Sequence, residues 1–255
     1  MTEAPKFAFA SATLALGGKT ILQNITFDIA AGDFVCIIGA SGCGKTTALR
    51  LAAGLYQPTT GEVRLDSHPM TAPRPDVAIV FQDYGKALLP WRTATGNISL
   101  AMEAGGVPKA ERGDRIAELL TLVGLSGQGE KYPGEMSGGM QQRLQIARCL
   151  AQNPSVLLMD EPFGALDAMT RQGLQDEVLE LVARSGTTVI FVTHDLEEAI
   201  YLGDRVIGLL PHPGRVGIDV PVRLSRPRDQ LTTREDPEFL RLRRELFDFI
   251  KGSEA

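Results

Sequence analysis

Apolar and polar positions along the chain predict an α/β core with an N-terminal β-layer. Four segments are continuous apolar runs, residues 34–38, 77–81, 156–159 and 188–192. Such runs are typical of strands buried on both faces of a parallel sheet. A half-buried strand of the antiparallel N-terminal layer is indicated by the alternation of Ile25, Phe27 and Ile29. A closing helix over residues 236–250 is indicated by the spacing of Phe239, Leu242, Leu246 and Ile250.

The middle of the chain has a different texture. Residues 108–123 and 140–152 carry helical patterns and almost no β-branched runs. We therefore expect one domain over residues 1–255, with a core formed by residues 7–82 and 155–215. A helical subdomain is inserted over residues 83–154, and a helical extension follows over residues 216–255.

Composition narrows the classes of function. The 255 residues carry a net charge of −5, which argues against a general nucleic-acid binder. No apolar run reaches the ~18 residues of a membrane-spanning helix, and the N-terminus lacks a signal-peptide pattern, so we expect a soluble cytoplasmic chain. The odd number of cysteines, Cys36, Cys43 and Cys149, favours reduced thiols over disulfides or a zinc site.

A phosphate-binding loop is predicted over residues 39–46, which have the spacing Gly-x-x-x-x-Gly-Lys-Thr between a strand and a helix. In such a loop the backbone N–H groups and the helix N-terminus bind phosphate oxygens. Lys45 adds charge to those oxygens, and the Thr46 hydroxyl is placed to bind Mg²⁺. The predicted nucleotide contacts are Gly39, Ala40, Ser41, Gly42, Cys43, Gly44, Lys45, Thr46 and Thr47.

Two adjacent carboxylates end the predicted strand 156–159. Asp160 can hold Mg²⁺, and Glu161 can activate the water that attacks the γ-phosphate. An acidic pair of this kind is also common as a plain strand cap. Because a phosphate loop is present in the same chain, the catalytic interpretation is favoured.

Four further motifs follow in order along the chain. Ser137, Gly138 and Gly139 open a predicted helix and form a second anion-binding helix terminus. Gln82 follows the strand 77–81, residues 160–167 read Asp-Glu-Pro-Phe-Gly-Ala-Leu-Asp, and His194 follows the strand 188–192. Because these motifs occur together and in this order, the chain resembles the ATP-binding subunits of ABC transporters over about residues 7–215. The family pattern Leu-Ser-Gly-Gly-Gln differs here at Met136 and Met140, outside the part that approaches phosphate.

The resemblance implies a P-loop ATPase fold, the cofactors ATP and Mg²⁺, and a role for each motif. Thr46, Gln82 and Asp160 would serve Mg²⁺, Glu161 would be the general base, and His194 would hold the γ-phosphate. Gln82, Glu161 and His194 are therefore the expected catalytic residues. In the family, the signature of one protomer faces the phosphate loop of the other. The resemblance thus implies a head-to-tail pair in which Ser137, Gly138, Gly139 and Asp167 act in trans.

The motif surroundings are similar to the nitrate/sulfonate/taurine group of importer ATPases, whose relatives also serve thiamine precursors. The features that carry this resemblance are residues 88–91, 137–143 and 160–171. It implies integral membrane permease subunits as partners, a solute-binding protein as an indirect one, no nucleic acid, and a peripheral location on the cytoplasmic face of the inner membrane. In the family, the segment around Trp91 lies beside the groove for a permease helix.

Two other classes remain as alternatives. A cytosolic ABC-type ATPase acting on DNA or ribosomes would lack a membrane partner. DNA-repair versions place hundreds of residues between phosphate loop and signature, whereas Lys45 and Ser137 are close in this chain, and ribosomal versions usually join two nucleotide domains. A catalytically dead binding module conflicts with the presence of both Glu161 and His194.

Cys43 lies inside the phosphate loop, next to a helix N-terminus and Lys45. This position predicts a lowered pKa and a thiol whose alkylation blocks ATP binding. The alternative is that Cys43 is a small filler residue.

Nucleotide selectivity gives a first prediction. The family usually stacks adenine on an aromatic residue, but the matching position here is Leu16, which offers dispersion contact and no π-face. Phe7 or Phe9 is the alternative stacking residue. We expect weak discrimination of ATP from GTP in a nucleotide competition assay, and a preference for ATP above about tenfold would contradict this expectation.

Overall fold

The computed structural model describes residues 4–83, 87–164 and 166–253. The strands are β1 Phe7–Leu16, β2 Lys19–Ile29, β3 Phe34–Gly39, β4 Thr60–Leu65, β5 His68–Pro69, β6 Val77–Val80, β7 Val156–Asp160, β8 Thr188–Val192, β9 Arg205–Leu210 and β10 Arg215–Pro221. The helices are α1 Lys45–Ala52, α2 Ala94–Ala104, α3 Arg112–Leu122, α4 Gly138–Leu150, α5 Ala168–Ser185, α6 Leu196–Leu202, α7 Thr232–Glu235 and α8 Pro237–Ser253, with 3₁₀ turns at Lys109–Glu111 and Pro133–Glu135.

The chain folds into two compact units, one extending to Arg74 and resuming at Val182, the other spanning Pro75–Leu181. The first unit contains an antiparallel sheet of order β2-β1-β4-β5 and the strands β10-β9-β3-β8. In the second unit, β6 and β7 pair in parallel beside helices α2, α3 and α4. The mixed α/β architecture with an N-terminal antiparallel layer confirms the predicted fold class. The sequence-based boundaries at residues 82 and 155 remain a prediction.

The antiparallel sheet of the first unit is packed on aromatic rings. Phe9 lies between Phe7 and Phe27, with ring centroids 5.7 and 4.6 Å away, and all three side chains are buried. Strand β1 bulges at Ser11, where φ is 51°, and β4 passes this bulge at Gly61, where φ is 72°. The bulge allows one strand to pair with β2 and β4 while keeping its apolar side chains inside.

The predicted parallel strands are present within each unit. Strand β3 pairs in parallel with β8 and β9, and every residue of β3 and β8 is buried. The carboxyl ends of β3 and β8 therefore lie at one edge of the sheet, where α/β proteins bind ligands. In the second unit, the parallel pair β6–β7 brings Val80 beside Met159, so that the residues following both strands share an edge.

The C-terminal segment differs in part from its predicted all-helical form. Residues 215–221 form strand β10, antiparallel to β9, with half-buried Val216, Ile218 and Val220. These three residues alternate with exposed ones, a period of two that predicts a strand and that the all-helical expectation overlooked. The pairing with β9 shifts register between Val216 and Ile218. Helix α8 is present as predicted and buries Phe239, Leu242 and Leu246 completely.

Helix α8 packs on strands β9 and β10 through the ring of Phe249. A Cβ atom added at Gly208 would lie 2.4 Å from Cε1 of Phe249, and one added at Gly217 would lie 2.8 Å from Cε2 of the same ring. The two glycines of β9 and β10 thus leave the space that the ring occupies. Among the described residues, no helix has the length and apolar character needed to cross a bilayer.

Replacement of Gly61 tests the close approach of β4 to the bulge of its neighbour β1. In Gly61→Ala the new Cβ would lie 2.2 Å from the Ser11 carbonyl oxygen, at a residue whose φ is 72°. Because both the backbone strain and the collision involve main-chain atoms, we expect the free energy of unfolding to fall by about 2 kcal/mol or more. Urea denaturation followed by circular dichroism measures this loss.

Gly173→Ala is the matched control. Gly173 lies in α5, has open space around its Cβ position and is exposed, so alanine should raise the free energy of unfolding by about 0.5–1 kcal/mol. Equal unfolding midpoints for the two variants would contradict the tight approach of Gly61 in β4 to Ser11 in β1.

Candidate functional site

The predicted phosphate loop joins β3 to α1 in the first unit. Gly39 and Gly44 have φ values of 152° and 102°, conformations that side chains disfavour, and neither position has room for a Cβ atom. At Gly39 that atom would lie 2.6 Å from Sγ of Cys43 and 2.7 Å from the Leu209 carbonyl oxygen. The loop is therefore held tightly against β9 while its backbone follows a path that only glycine adopts easily.

Lys45 begins α1 and turns back over the loop. Its Nζ donates hydrogen bonds to the carbonyl oxygens of Gly39, at 2.7 Å, and Ala40, at 3.1 Å, and the side chain is largely buried. The first turn of α1 carries no acidic residue, so the positive end of the helix dipole is not neutralised there. Ser41 and Gly42 are exposed, while Thr46 and Thr47 are half-buried in the first turn of α1. This arrangement has the charge and the N–H groups needed to bind phosphate.

Two neighbouring segments support the loop from behind. A Cβ atom at Gly44 would lie 2.6 Å from the Leu22 side chain, and one at Gly214 would lie 2.2 Å from the Cys43 carbonyl oxygen. The turn between β9 and β10 is itself tied to β2, because Gly214 N–H donates to Ile21 O and Gln23 N–H donates to Gly214 O, both at 2.8 Å. Gly214 is a supporting residue that the sequence analysis missed, since an isolated glycine gives no signal of a long-range contact.

Leu16 ends β1 with 40% of its surface exposed. It lies two residues after Leu14, whose partner in the β1–β2 register is Leu22, the residue on which Gly44 packs. The alternative stacking residues Phe7 and Phe9 are 0% and 1% exposed in the aromatic core, so they have no free ring face. The suggestion that either one stacks on a base is therefore wrong, because the alternation of β1 directs both rings inward.

His194 lies between β8 and α6 with an exposed side chain. Thr193 before it donates its N–H to Ile37 O of β3 at 3.2 Å, two residues ahead of Gly39. After it, Asp195 caps α6 by accepting hydrogen bonds from the N–H groups of Glu197 and Glu198. His194 and the phosphate loop thus follow adjacent parallel strands at the same edge of the first unit.

Thr193 and Glu198 lie on either side of this turn and are not among the residues predicted from the sequence. The Thr193 hydroxyl donates to the buried Glu198 carboxylate and accepts from the Asp195 N–H. The signal was available: Asp195 followed three residues later by Glu198 is the pattern of a helix capping box.

Gln82, Asp160 and Glu161 come together at the edge of the β6–β7 pair in the second unit. Gln82 Nε2 donates to Glu161 Oε2 at 3.1 Å, while the Asp160 side chain at the end of β7 is buried. Glu161 has a φ of 47°, a strained conformation for a residue with a side chain. Such strain costs of order 1–3 kcal/mol and clusters at functional sites.

The predicted signature forms a helix terminus of its own. Ser137 caps α4, its Oγ accepting from the Met140 N–H at 3.3 Å, and the first turn carries no acidic side chain. Near the other end of α4, Cys149 Sγ donates to Ile79 O of β6. Ser137 lies twelve residues earlier, about 18 Å along the helix axis. The N-terminus of α4 is therefore far from the contact with β6. At this terminus Ser137 is exposed, Gly138 and Gly139 are half-buried, and Met136 before them is buried.

Asp167 caps α5 in the second unit. Its Oδ1 accepts from the Thr170 N–H at 3.1 Å, and this hydrogen bond lowers the pKa of the Asp167 carboxyl group. The side chain is exposed. Ala165, within the run of residues 160–167, lies outside the described residues.

The structure corrects the expectation for Cys43. Its side chain is 1% exposed, and burial raises the pKa of the thiol, outweighing the lowering effect of Lys45. The same cause raises the pKa of Cys36 and raises that of Cys149 to about 11. The filler interpretation of Cys43 therefore fits the loop, since its Sγ occupies the space beside Gly39.

Comparisons with known proteins agree with this geometry. The family model described as "ABC transporter" matches residues 22–164. The bicarbonate transport ATP-binding protein CmpD of Synechocystis is 43% identical over 92% of this chain and 84% of its own length. The nitrate import ATP-binding protein NrtD of Synechococcus elongatus is 42% identical over 92% of this chain and 86% of its own length. A solved ATP-binding cassette, dimeric and bound to ADP and Pi, superposes with a TM-score of 0.76 at 32% identity, covering 85% of this chain and 99% of its own.

Thiol reactivity tests the burial of the phosphate loop. Because the three thiols are buried and their pKa values are raised, we expect slow reaction of the native chain with Ellman's reagent at pH 8 and release of three equivalents after unfolding. Cys43→Ser should lower the count after unfolding to two. Rapid reaction of one native thiol that disappears in Cys43→Ser would contradict this account of the loop.

Proposed function

The chain belongs to the ABC transporter family of ATP-binding proteins, and from this premise we propose that it powers an importer of small solutes. It is an ATPase, and the observation that carries the proposal is the phosphate loop with Lys45 folded over it. The two named relatives serve nitrate and bicarbonate, which are small oxyanions. We propose nitrate, sulfonate, taurine or a related compound such as a thiamine precursor as the solute class. The alternative of an ATPase acting on ribosomes or DNA is not favoured, because both relatives are transport proteins.

Residues 39–47 are proposed to bind the phosphates of ATP. Lys45 exchanges its bonds to Gly39 O and Ala40 O for bonds to β- and γ-phosphate oxygens, while the loop N–H groups and the α1 dipole supply further positive potential. Leu16 contributes apolar contact to the base. The exposed edge at Leu16 and the packing of Gly44 on Leu22 support this placement.

Mg²⁺ is proposed as the second cofactor. Thr46, Gln82 and Asp160 offer a hydroxyl, an amide and a carboxylate oxygen, which are the hard donors that Mg²⁺ prefers. Within the described ranges, no group of three or more His, Cys, Asp or Glu residues forms a metal cage. Mg²⁺ bound in proteins commonly keeps substrate phosphate oxygens among its ligands. When bound, Mg²⁺ would neutralise the charge that develops on the phosphates.

Hydrolysis is assigned to Glu161, Gln82 and His194. Glu161 takes a proton from the attacking water, and the hydrogen bond from Gln82 orients the carboxylate. His194 donates a hydrogen bond to the γ-phosphate, for which its exposed ring at the end of β8 is suitably placed. The strained backbone of Glu161 supports this assignment, since a plain strand cap would not require a left-handed conformation.

The signature group is proposed to act on the nucleotide of a second copy. Ser137, Gly138 and Gly139 form a helix terminus at the end of α4 opposite its contact with β6, and a head-to-tail partner would place that terminus on phosphate. Asp167 links the two sites of the pair. The structural relative is dimeric, which supports this arrangement.

Membrane coupling completes the proposal. Closure of the pair on ATP would move permease subunits, and a solute-binding protein would deliver the solute to them. The chain would then be peripheral at the cytoplasmic face of the inner membrane. Trp91 is 72% exposed in the turn before α2, and that turn is held by hydrogen bonds from Asn97 Nδ2 to Leu89 O and Arg92 O. A rigid turn presenting a large apolar ring is suited to contact a permease helix.

Replacement of the general base separates ATP binding from turnover. We expect Glu161→Gln to bind ATP and to lose turnover by roughly 10² or more, since the water loses its proton acceptor. The variant should also elute as a dimer with ATP on size-exclusion chromatography, because the bound nucleotides persist. Steady-state phosphate release and fluorescent-nucleotide binding measure the two effects.

Glu62→Gln is the matched control, because Glu62 is a partly exposed carboxylate of β4 whose ion-pair partner is Arg64. It should leave both measurements unchanged. Wild-type turnover in Glu161→Gln would remove Glu161 from the base role, and failure of the wild-type chain to bind ATP would refute the proposed function as a whole.

A further inference from the structure

Arg228 is a buried cation that none of the roles above uses. Its side chain is 0% exposed, and its Nη1 donates hydrogen bonds to the carbonyl oxygens of Ile200, at 3.0 Å, and Tyr201. Burial lowers the pKa of this guanidinium to about 10, while its Nε and Nη2 have no hydrogen-bond partner within the described residues. A buried guanidinium is costly, and this cost is offset by the hydrogen bonds to these carbonyls and by an ion pair with Asp204, whose Oδ1 lies 3.8 Å from Nη2.

The carbonyls that Arg228 binds belong to the last turn of α6. The last carbonyls of a helix lack partners within the helix, and a cation at this end also interacts favourably with the helix dipole. Arg226 adds to this cap, because its Nη2 donates to Leu202 O at 3.2 Å and to Asp204 Oδ1 at 2.6 Å. Asp204 Oδ2 in turn accepts from the Phe34 N–H at 3.0 Å, so the cap is anchored to the first residue of β3.

The other end of α6 is also held by the C-terminal segment. Glu197, in the first turn, accepts hydrogen bonds from Arg234 at 2.8 Å and from Arg243 at 3.0 Å. The Arg234 guanidinium also lies over the ring of Tyr201, 5.2 Å from its centroid. These pairs are partly exposed and individually weak, so the buried Arg228 is the contact of the set that solvent screens least.

Helix α6 directly follows His194 in the chain. The helix has only seven residues, a length that is not stable in isolation, so tertiary contacts decide where it lies. On both sides of His194 the chain is tied to this helix: Thr193 bonds the Glu198 carboxylate, and Asp195 caps the first turn. A shift of α6 would therefore carry the imidazole with it.

We propose that Arg228 is a positioning residue for His194, acting by capping α6 and so fixing the imidazole relative to the γ-phosphate. The C-terminal segment 222–253 is then part of the catalytic unit and does more than cover the sheet. This inference rests on the role given to His194 under the proposed function. It assigns Arg228 no contact with the nucleotide.

Kinetics of Arg228→Met test the inference. Methionine keeps the apolar volume and removes the cap, so we expect kcat for ATP hydrolysis to fall roughly tenfold or more, as small misplacements of reacting groups do. The KM for ATP should stay within about twofold, because the phosphate loop carries binding. Arg228→Lys, which keeps a charged donor, should recover most of kcat.

Arg241→Gln is the matched control on the same segment. Arg241 is exposed and pairs only with Glu238 and Glu245 of its own helix among the described residues. It should keep the wild-type kcat and KM. If the melting curve shows that Arg228→Met does not fold, Arg226→Gln is the second variant. Arg226 has a partly exposed side chain, so its replacement weakens the same helix cap less severely. We expect kcat to fall in this variant as well.

A double-mutant cycle separates positioning from general destabilisation. If Arg228 acts through His194, then Arg228→Met should lower kcat by less than about twofold in a His194→Ala background. An equal loss of kcat in both backgrounds, or an unchanged kcat in Arg228→Met or the folded Arg226→Gln, would overturn the inference. If His194→Ala alone keeps wild-type turnover, the proposed role of His194 is refuted and this inference with it. If His194→Ala loses turnover while Arg228→Met keeps the wild-type kcat, the inference alone is refuted.

Discussion

The arrangement of the first unit depends on the close packing of the phosphate loop against its neighbouring strands. The loop touches β9 through Gly39, β2 through Gly44 and the β9–β10 turn through Gly214, and at each position a single methyl group would collide. Lys45 closes the loop from above by binding its carbonyls. Because the backbone N–H groups are fixed in this way before any ligand arrives, little conformational entropy is lost when phosphate binds.

The same logic of fixing a group through its neighbours recurs at the other functional positions. His194 is held by Thr193 and Asp195, and Glu161 is held by a strained backbone and a hydrogen bond from Gln82. Supporting contacts of this kind restrict the rotamers of groups that must meet a reacting phosphate within a fraction of an ångström. Hydrogen bonds of neighbouring residues thus place the exposed His194 and the half-buried Glu161.

Sequence patterns predicted the features that depend on local spacing. The four apolar runs, the helix over residues 236–250 and the glycine spacing of residues 39–46 correspond to elements of the structure, because each is encoded by neighbouring residues. Helices α2 and α5 were not predicted individually. Strand β10 was missed although Val216, Ile218 and Val220 alternate with exposed residues, because the prolines and arginines around it favoured an irregular segment. The contacts of Gly214, the inward rings of Phe7 and Phe9 and the burial of Cys43 depend on distant segments, so no local pattern could reveal them.

The central claim is that this ATPase works on a membrane permease. Its most direct test is affinity purification of the tagged chain from its native host in a gentle detergent, followed by mass spectrometry of the bound proteins. The account predicts a multi-spanning permease in stoichiometric amount, retained when Arg241→Gln is used as bait and lost when Trp91→Ala is used. Recovery of ribosomal or DNA-repair proteins, with no membrane partner, would contradict it.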